Sequence, residues 1–98
     1  MAFDYSRSNR RWWHIREIPL KRDRYRCRNC ARYGRQVPAE VVHHVWPAED
    51  YPELAYKAWN LLSLCESCHD KMHERSGRRL TPLGESWRRR VIPPTSPP

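Results

Sequence analysis

Two segments decide the fold of this chain: VVHHVWP, residues 41–47, and NLLSLCESCHDKMH, residues 60–73. The first lies in a run of β-branched and aromatic residues bounded by prolines, which predicts a β-strand over residues 37–46. The second begins with a short apolar run that predicts a returning strand. Over residues 65–75 the composition favours a helix, with Gly77 as its stop. The order strand, long loop, strand, helix predicts a small α+β fold.

Two C-x-x-C pairs accompany these segments: Cys27 with Cys30, and Cys65 with Cys68. The pairs are separated by 34 residues, and each can present two sulfurs to one tetrahedral zinc. Four thiolates leave no open coordination position, so the spacing predicts one structural Zn²⁺ that joins the first cysteine loop to the start of the helix. The alternatives are four unrelated thiols or two disulfides, and a reducing compartment disfavours disulfides.

A second group of ligand-type residues comprises His43, His44, Asn60, His69 and His73. Adjacent residues of a strand point to opposite faces, so a twist or bulge would be needed to bring His43 and His44 to one site. His69 and His73 are four apart on the predicted helix, a spacing that lets two imidazoles share a metal. Cys68 precedes His69 by about 100° of helical rotation, so thiolates and imidazoles should face different centres. Each histidine alone is more often a surface or hydrogen-bonded residue, but the combination indicates a second metal site.

The remaining chain flanks this core. We expect one domain over residues 1–92, made of a basic helical segment (7–22), a core motif (about 25–76) and a C-terminal helix (about 81–90), followed by a Pro-rich disordered tail (93–98). Pro19 should interrupt the first helical segment. Thr81 and Pro82 suit the N-cap and the first residue of the last helix.

The charge of the chain limits its partners. Nineteen Lys and Arg against eleven Asp and Glu give a formal net charge of +8, which predicts a polyanionic partner such as nucleic acid or an acidic membrane face. No stretch approaches the roughly 20 apolar residues of a membrane span, and residues 1–11 lack the apolar region of a secretory signal. We therefore expect a cytoplasmic protein without a membrane span, and charge alone does not choose between the two kinds of partner. The residues that could contact the phosphates of a nucleic acid, each of which is equally well explained as solvated surface, are Arg11, Arg16, Arg22, Arg24, Arg28, Arg88 and Arg89.

The runs VVHHVWP, WNLLSLC and CESCHDKMH together resemble the HNH nuclease motif in its four-cysteine form, which is common in small bacteriophage proteins. The resemblance covers roughly residues 25–74, and the YPELA stretch at residues 51–55 is similar to that of phage members. It implies a ββα-metal (His-Me finger) fold, which agrees with the order of elements read from the sequence. Two positions depart from the family pattern: Ala31, where many members have Gly, and Pro19, where the helix is often continuous.

The resemblance also implies roles for individual residues. His44 matches the general base, and Asn60 matches the residue that fixes the hairpin loop and helps to orient that base. His69 matches the final histidine, a metal ligand, while His43 and His73 match further ligand positions. The implied activity is a metal-dependent DNA endonuclease in which His44 takes a proton from the water that attacks phosphorus. A divalent ion held by the three imidazoles would stabilise the developing charge.

The identity of that ion depends on ligand chemistry. Three imidazoles suit Mn²⁺, Ni²⁺, Zn²⁺ or Co²⁺, whereas Mg²⁺ prefers oxygen ligands, so we expect stronger activity with manganese or nickel than with magnesium. The resemblance implies double-stranded DNA, and no membrane, as the partner. The DNA would be nicked or cut through both strands by a monomer or weak dimer. Analogy with phage members suggests genome processing or packaging beside the terminase, in the cytoplasm of a bacterial host, or a free-standing homing-type nuclease.

Two other classes of function fit part of the sequence. A non-catalytic, zinc-stabilised nucleic-acid-binding module explains the charge and the cysteines. A zinc-held protein-interaction adaptor suits the Pro-rich end. Neither class explains why the histidines and Asn60 occur together, so the nuclease is the preferred interpretation.

Overall fold

The computed structural model describes residues 3–75 and 79–92. Its helices are α1 (Arg10–Ile15), α2 (Glu17–Arg22), α3 (Arg28–Ala31), α4 (Glu66–Asp70) and α5 (Pro82–Arg90). Its strands are β1 (Val41–His44) and β2 (Leu61–Leu64), and the loop between them contains two 3₁₀ turns, Pro52–Leu54 and Ala58–Asn60. This order confirms the predicted α+β fold. Within the described ranges, no helix is long and apolar enough to cross a membrane.

The two strands form an antiparallel sheet that is regular over its whole length. His43 pairs with Leu62 and His44 pairs with Leu61. The register continues from Val41 to His44 without a bulge, so the distortion considered for the histidine pair is not present. Side chains of a regular strand alternate, and the two histidines therefore lie on opposite faces of the sheet.

The first strand is shorter than its sequence predicts. Residues 37–39 pair with the first cysteine loop instead of β2: Cys27 N donates to Val37 O at 2.7 Å, and Ala39 N donates to Tyr25 O at 2.8 Å. Pro38 lies between them and has no N–H to extend a ladder. The first part of the predicted strand thus pairs with the cysteine loop and the later part pairs with β2, which connects the cysteine loop to the sheet.

Two apolar clusters lie on the two faces of this sheet. One contains the four cysteines with Leu62, Leu64, Met72 and Trp87. The other contains Trp12, Leu20, Val42 and Leu61. Because side chains alternate along each strand, the same short sheet supplies both clusters. One cluster surrounds the thiols, and the other packs the N-terminal helices onto the sheet.

The N-terminal helical segment breaks three residues earlier than predicted. The break is at Arg16, between α1 and α2, and Pro19 is the third residue of α2. The first turn of a helix has no intrahelical acceptors for its N–H groups, so a proline is tolerated there. Asn9 caps α1, because its Oδ1 accepts from Trp12 N at 3.1 Å.

The helix predicted over residues 65–75 is also shorter, since α4 ends at Asp70. Beyond it the chain turns and pairs with the segment before α5: Thr81 N donates to Met72 O at 2.9 Å, and Glu74 N donates to Arg79 O at 2.8 Å. These pairings use backbone groups that a longer helix would have needed. Gly77, the predicted stop, lies outside the described residues, as does the tail at 93–98.

The last helix follows its sequence signals. Thr81 is the N-cap, and its hydroxyl accepts from Gly84 N at 3.2 Å, while Pro82 is the first helical residue. Helix α5 packs closely on the turn after α4, since a Cβ at Gly84 would collide with the carbonyl oxygen of Met72. Trp87 reaches the thiol cluster, where its Nε1 donates to Asn29 Oδ1 at 3.0 Å.

Candidate active site

The four cysteines come together as their spacing predicts. All four are buried, and their sulfur atoms lie within 4.8 Å of one another. Cys30 Sγ is 3.9 Å from Cys65 Sγ and 3.6 Å from Cys68 Sγ. A tetrahedral zinc with bonds of about 2.3 Å has sulfur-to-sulfur edges of about 3.8 Å. The geometry therefore fits a bound metal ion of zinc size.

The electrostatics of these thiols fit the same conclusion. Burial raises the pKa of Cys30 to about 12, because an isolated thiolate would lose its hydration there. A cation that displaces the proton would provide the missing counter-charge. Asn29 Nδ2 donates to Cys68 Sγ at 3.3 Å, a bond that favours the thiolate form of that sulfur.

Three histidines form a second and separate group. The ligand nitrogens of His43, His69 and His73 lie within 4.8 Å of one another. Cys68 and His69 are adjacent in sequence yet belong to different groups, as the helical rotation predicts. His73 reaches the group by a route the sequence did not predict, since it lies beyond α4 in a β-bridge with Leu80. The two imidazoles therefore lie close together, but not through the i, i+4 helical geometry that the sequence predicts.

The chemistry of this group suits a metal ion. His43 is only 2% exposed, and its Nε2 has no hydrogen-bond partner among the described residues. Burial, followed by repulsion from His69 and His73, holds the pKa of His43 well below its ordinary value. Burial, followed by repulsion from His73, also lowers the pKa of His69. Neutral imidazoles with converging nitrogens, one of them buried and unpaired, are the ligands that a divalent transition metal prefers.

His44 lies on the other face, where its hydrogen bonds fix its tautomer. Its Nε2 is 2.9 Å from the carbonyl oxygen of Ala55, which can only accept, so Nε2 carries the proton. The lone pair of neutral His44 is then on Nδ1, which lies 3.0 Å from the hydroxyl of Tyr5. Burial lowers the pKa of His44, and the bond to Ala55 offsets part of that effect. The ring is therefore neutral at pH 7 and has one basic nitrogen.

Asn60 acts on His44 through the loop between the strands. It is fully buried, and its Nδ2 donates to the carbonyls of Trp46 at 3.0 Å and Leu54 at 3.1 Å. Its Oδ1 accepts from Trp46 N at 2.7 Å. Leu54 directly precedes Ala55, whose carbonyl holds His44. Asn60 thus closes the loop that positions the Ala55 carbonyl.

A cavity of about 530 Å³ is lined both by His44 and by the group of three histidines. It runs along β1, since residues 40–44 line it and no residue of β2 does. Among the described residues β1 pairs with β2 alone, so its other edge is free and the cavity extends to both faces. His43, His44, His69 and His73 all line it, although the strand directs the first two in opposite directions.

Two of the candidate DNA-contacting arginines make hydrogen bonds within the fold. Arg22 donates to the carbonyls of Ala58 at 3.0 Å and Leu61 at 2.7 Å. Arg88 donates to the hydroxyl of Tyr51 at 2.8 Å. Four further candidates lie on the surface or over aromatic rings: Arg11, Arg24, Arg28 and Arg89.

Arg16 is the candidate that lines the cavity. Its guanidinium lies over the ring of Trp13 at 4.4 Å, and that of Arg7 lies over the same ring at 4.6 Å. Three contacts beside this site are not among the residues predicted from the sequence: Arg7, the Ala55 carbonyl and the Tyr5 hydroxyl. Of these three residues, Tyr5 lines the cavity. No local signal marks the Ala55 carbonyl or the Tyr5 hydroxyl, since both contact His44, which is 11 and 39 residues away in the chain.

Comparison with known proteins agrees with this geometry. The model of the HNH endonuclease family matches residues 27–75, which is half of the chain. Among solved structures, the chain is similar to the HNH endonuclease of the deep-sea thermophilic bacteriophage GVE2, crystallised with a manganese ion. The two are 30% identical with a TM-score of 0.62, over 64% of this chain and 68% of the phage protein. No curated protein matched. The chain belongs to the HNH endonucleases, a family of DNA-cleaving hydrolases.

Proposed function

We propose that this chain is a metal-dependent endonuclease that hydrolyses phosphodiester bonds of double-stranded DNA. One observation carries the proposal: a neutral histidine with a single basic nitrogen lines the same cavity as three converging imidazoles. Phosphodiester hydrolysis requires a base for the attacking water and a positive charge for the phosphate oxygens. The cavity offers a group for each requirement.

His44 is the proposed general base. The Ala55 carbonyl holds the Nε2 proton, so only Nδ1 can accept a proton from water. Asn60 maintains this arrangement by bonding Trp46 and Leu54, the latter being the residue directly before the carbonyl. A base whose tautomer and direction are set before the substrate arrives needs no reorganisation during the reaction.

His43, His69 and His73 are the proposed ligands of the catalytic divalent ion. Such an ion would supply Lewis-acid stabilisation of the charge that develops on the phosphate and the leaving oxygen. The imidazole donor set leads us to propose higher activity with Mn²⁺ or Ni²⁺ than with Mg²⁺. The manganese in the phage GVE2 enzyme is consistent with this preference.

The four cysteines are the proposed ligands of a structural Zn²⁺. Cys30 belongs to α3, and Cys65 is the N-cap of α4. The ion would therefore connect α3 to the beginning of the helix that carries His69. Its proposed task is to set the position of α4 against β1 and thereby the distance between His69 and His43.

Arg16 and Arg7 are the proposed phosphate contacts nearest the cavity. Their guanidinium groups pack on the Trp13 ring, which reduces their freedom without neutralising their charge. Such contacts provide affinity for the DNA backbone without reading sequence. We extend the proposal, by analogy with phage members of the family, to a nuclease domain over residues 1–92 that acts in genome processing or packaging with the terminase in a bacterial cytoplasm.

The proposal is tested by incubating purified protein with supercoiled plasmid, in the presence and absence of Mn²⁺ and of a chelator. Cleavage should require the metal. His44→Ala should reduce the cleavage rate by roughly 10²- to 10⁴-fold, which is the contribution typical of general acid–base catalysis. His14→Ala is the matched control, because His14 is an exposed histidine of α1 outside the cavity. Cleavage by His44→Ala at the wild-type rate would contradict the assignment.

A further inference from the structure

The N-terminal segment, residues 3–9, contacts the proposed base directly. The hydroxyl of Tyr5 lies 3.0 Å from His44 Nδ1, and the ring of Phe3 packs edge-on against the same imidazole at 5.0 Å. Because Nε2 carries the proton, Nδ1 can only accept, so the Tyr5 hydroxyl is the donor. The single lone pair with which His44 can activate water is therefore engaged by a side chain.

Other contacts anchor the segment independently of the Tyr5 hydroxyl. Asn9 Nδ2 donates to the carbonyl of Asp4 at 2.8 Å and to the hydroxyl of Tyr56 at 3.0 Å. Trp13 Nε1 donates to the carbonyl of Ser6 at 3.1 Å. Tyr5 itself is 52% exposed. Its side chain can therefore rotate toward solvent while these anchors stay in place.

The Tyr5 hydroxyl can donate to His44 Nδ1 as a water molecule would, but it cannot act as the general base itself. Burial of the Tyr5 hydroxyl raises the pKa of this residue to about 12, so the hydroxyl remains protonated at neutral pH. It offers Nδ1 the same O–H donor that an attacking water would offer. It also lines the cavity together with the three imidazoles.

We propose that Tyr5 is a gating residue of the nuclease: its hydroxyl occupies the basic nitrogen of His44 in the DNA-free protein and gives way to the attacking water when DNA enters the cavity. This inference rests on the proposed function. Tyr5 keeps its proton throughout, and the proton of the water passes to His44 Nδ1 after the phenol has moved aside. The gate lowers the fraction of protein that is ready to react.

Tyr5→Phe tests the gate because it keeps the ring and removes only the hydroxyl. A neutral hydrogen bond contributes a net stabilisation equivalent to about a 2- to 10-fold change in an equilibrium, so kcat/KM in Mn²⁺ should rise by about that factor while kcat does not fall. Tyr33→Phe is the control, since Tyr33 is 68% exposed and lies outside the cavity. Both variants should melt within a few degrees of the wild type. A lower kcat in Tyr5→Phe would show that the hydroxyl assists the reaction, and an unchanged kcat/KM would show that it does not gate; either result overturns the proposal.

A second measurement does not depend on cleavage. The ¹⁵N resonance of His44 Nδ1 is recorded without catalytic metal. When duplex DNA is added to the wild type, this resonance should shift toward its position in DNA-bound Tyr5→Phe. A wild-type resonance that does not move with DNA would overturn the gate even if the protein cuts. If it moves but neither protein cuts plasmid in Mn²⁺, the gate is supported and the proposed nuclease activity is contradicted.

Discussion

The His43 side chain is buried on β1, and its Nε2 lacks a hydrogen-bond partner among the described residues. Such an unpaired buried group typically costs about 1–3 kcal/mol. The proposed role of His43 as a metal ligand would explain why the fold tolerates this cost, since its ligand nitrogen lies within 4.8 Å of those of His69 and His73. An apolar substitution at His43 should therefore maintain or raise the stability of the metal-free protein and lower its affinity for the metal.

Replacing His43 by Leu tests that opposition. The free energy of unfolding of the protein without catalytic metal should stay the same or rise by about 1 kcal/mol, because an unpaired polar atom is removed at similar volume. Mn²⁺ affinity, measured by calorimetry, should fall by more than about 10-fold, since even an outer-shell substitution typically costs roughly 10- to 100-fold. Ser63→Ala is the control: Ser63 Oγ is also buried without a partner in the described part of the chain, but it is not one of the ligands. Retention of wild-type Mn²⁺ affinity by His43→Leu would exclude it as a ligand.

Asn60 contributes through three side-chain hydrogen bonds that close the loop around the Ala55 carbonyl. Asn60→Ala leaves their backbone partners unpaired, and we expect it to lower the free energy of unfolding by at least about 2 kcal/mol. Cleavage should remain slow even at temperatures well below the melting point of the variant, because the carbonyl that directs His44 is no longer fixed. Denaturant unfolding and plasmid cleavage measure the two effects. A destabilised variant with a normal rate would restrict Asn60 to a structural role.

At the scale of elements, the geometry of the group formed by His43, His69 and His73 depends on the turn that follows α4. His73 is outside the helix and is held by the bridge to Leu80, which leads directly into α5. Gly84 allows α5 to approach the carbonyl of Met72, the neighbour of His73. The position of one imidazole is therefore set by the packing of a helix that contains no ligand.

Gly84→Ala tests this dependence. In an open helix the change would favour folding by about 1 kcal/mol, but here the new Cβ collides with backbone, so the sign should reverse. We expect a lower melting temperature together with weaker Mn²⁺ binding. Ser86→Ala, on the same helix, should leave Mn²⁺ binding unchanged. A stabilised Gly84→Ala protein with normal affinity would show that the turn does not depend on this contact.

At the scale of the whole molecule, the four thiols stand at the centre of the larger apolar cluster, with Leu62, Leu64, Met72 and Trp87 around them. A domain of this length buries too little apolar surface to fold with a wide margin. Metal bound by these thiols would contribute to folding directly, because the unfolded chain has no preformed site. Loss of that metal should therefore affect both faces of the sheet.

Removal of zinc by a strong chelator should abolish the cooperative thermal transition, and returning Zn²⁺ should restore it. The apparent affinity should fall as pH is lowered, because protons compete with the metal for the four sulfurs. Circular dichroism follows the fold, and a zinc-sensitive dye measures the released ion. A protein that keeps its melting temperature after complete loss of zinc would contradict the structural role.

Several features of this molecule depend on short sequence intervals, and these were predictable. The C-x-x-C pairs and the Thr81–Pro82 helix start are signals within four residues, and the order of the two strands and the following helix comes from separate runs of a few residues each. The bounds of the elements were less predictable. Strand β1 begins at Val41 and not at residue 37 because Pro38 pairs with the cysteine loop, and α4 ends early because residues 72–74 pair with residues 79–81.

The sequence by itself determined that the chain carries two groups of ligand-type residues and follows the order strand, loop, strand and helix, because spacing and alternation are local properties. The tertiary structure alone decided how His44 is held: the Ala55 carbonyl fixes its proton, and Tyr5, 39 residues away in the chain, engages its lone pair. It also decided that a regular strand can present both histidines to one cavity, since the free edge of β1 connects the two faces. These contacts join residues that no local pattern relates, because packing of distant segments chooses them.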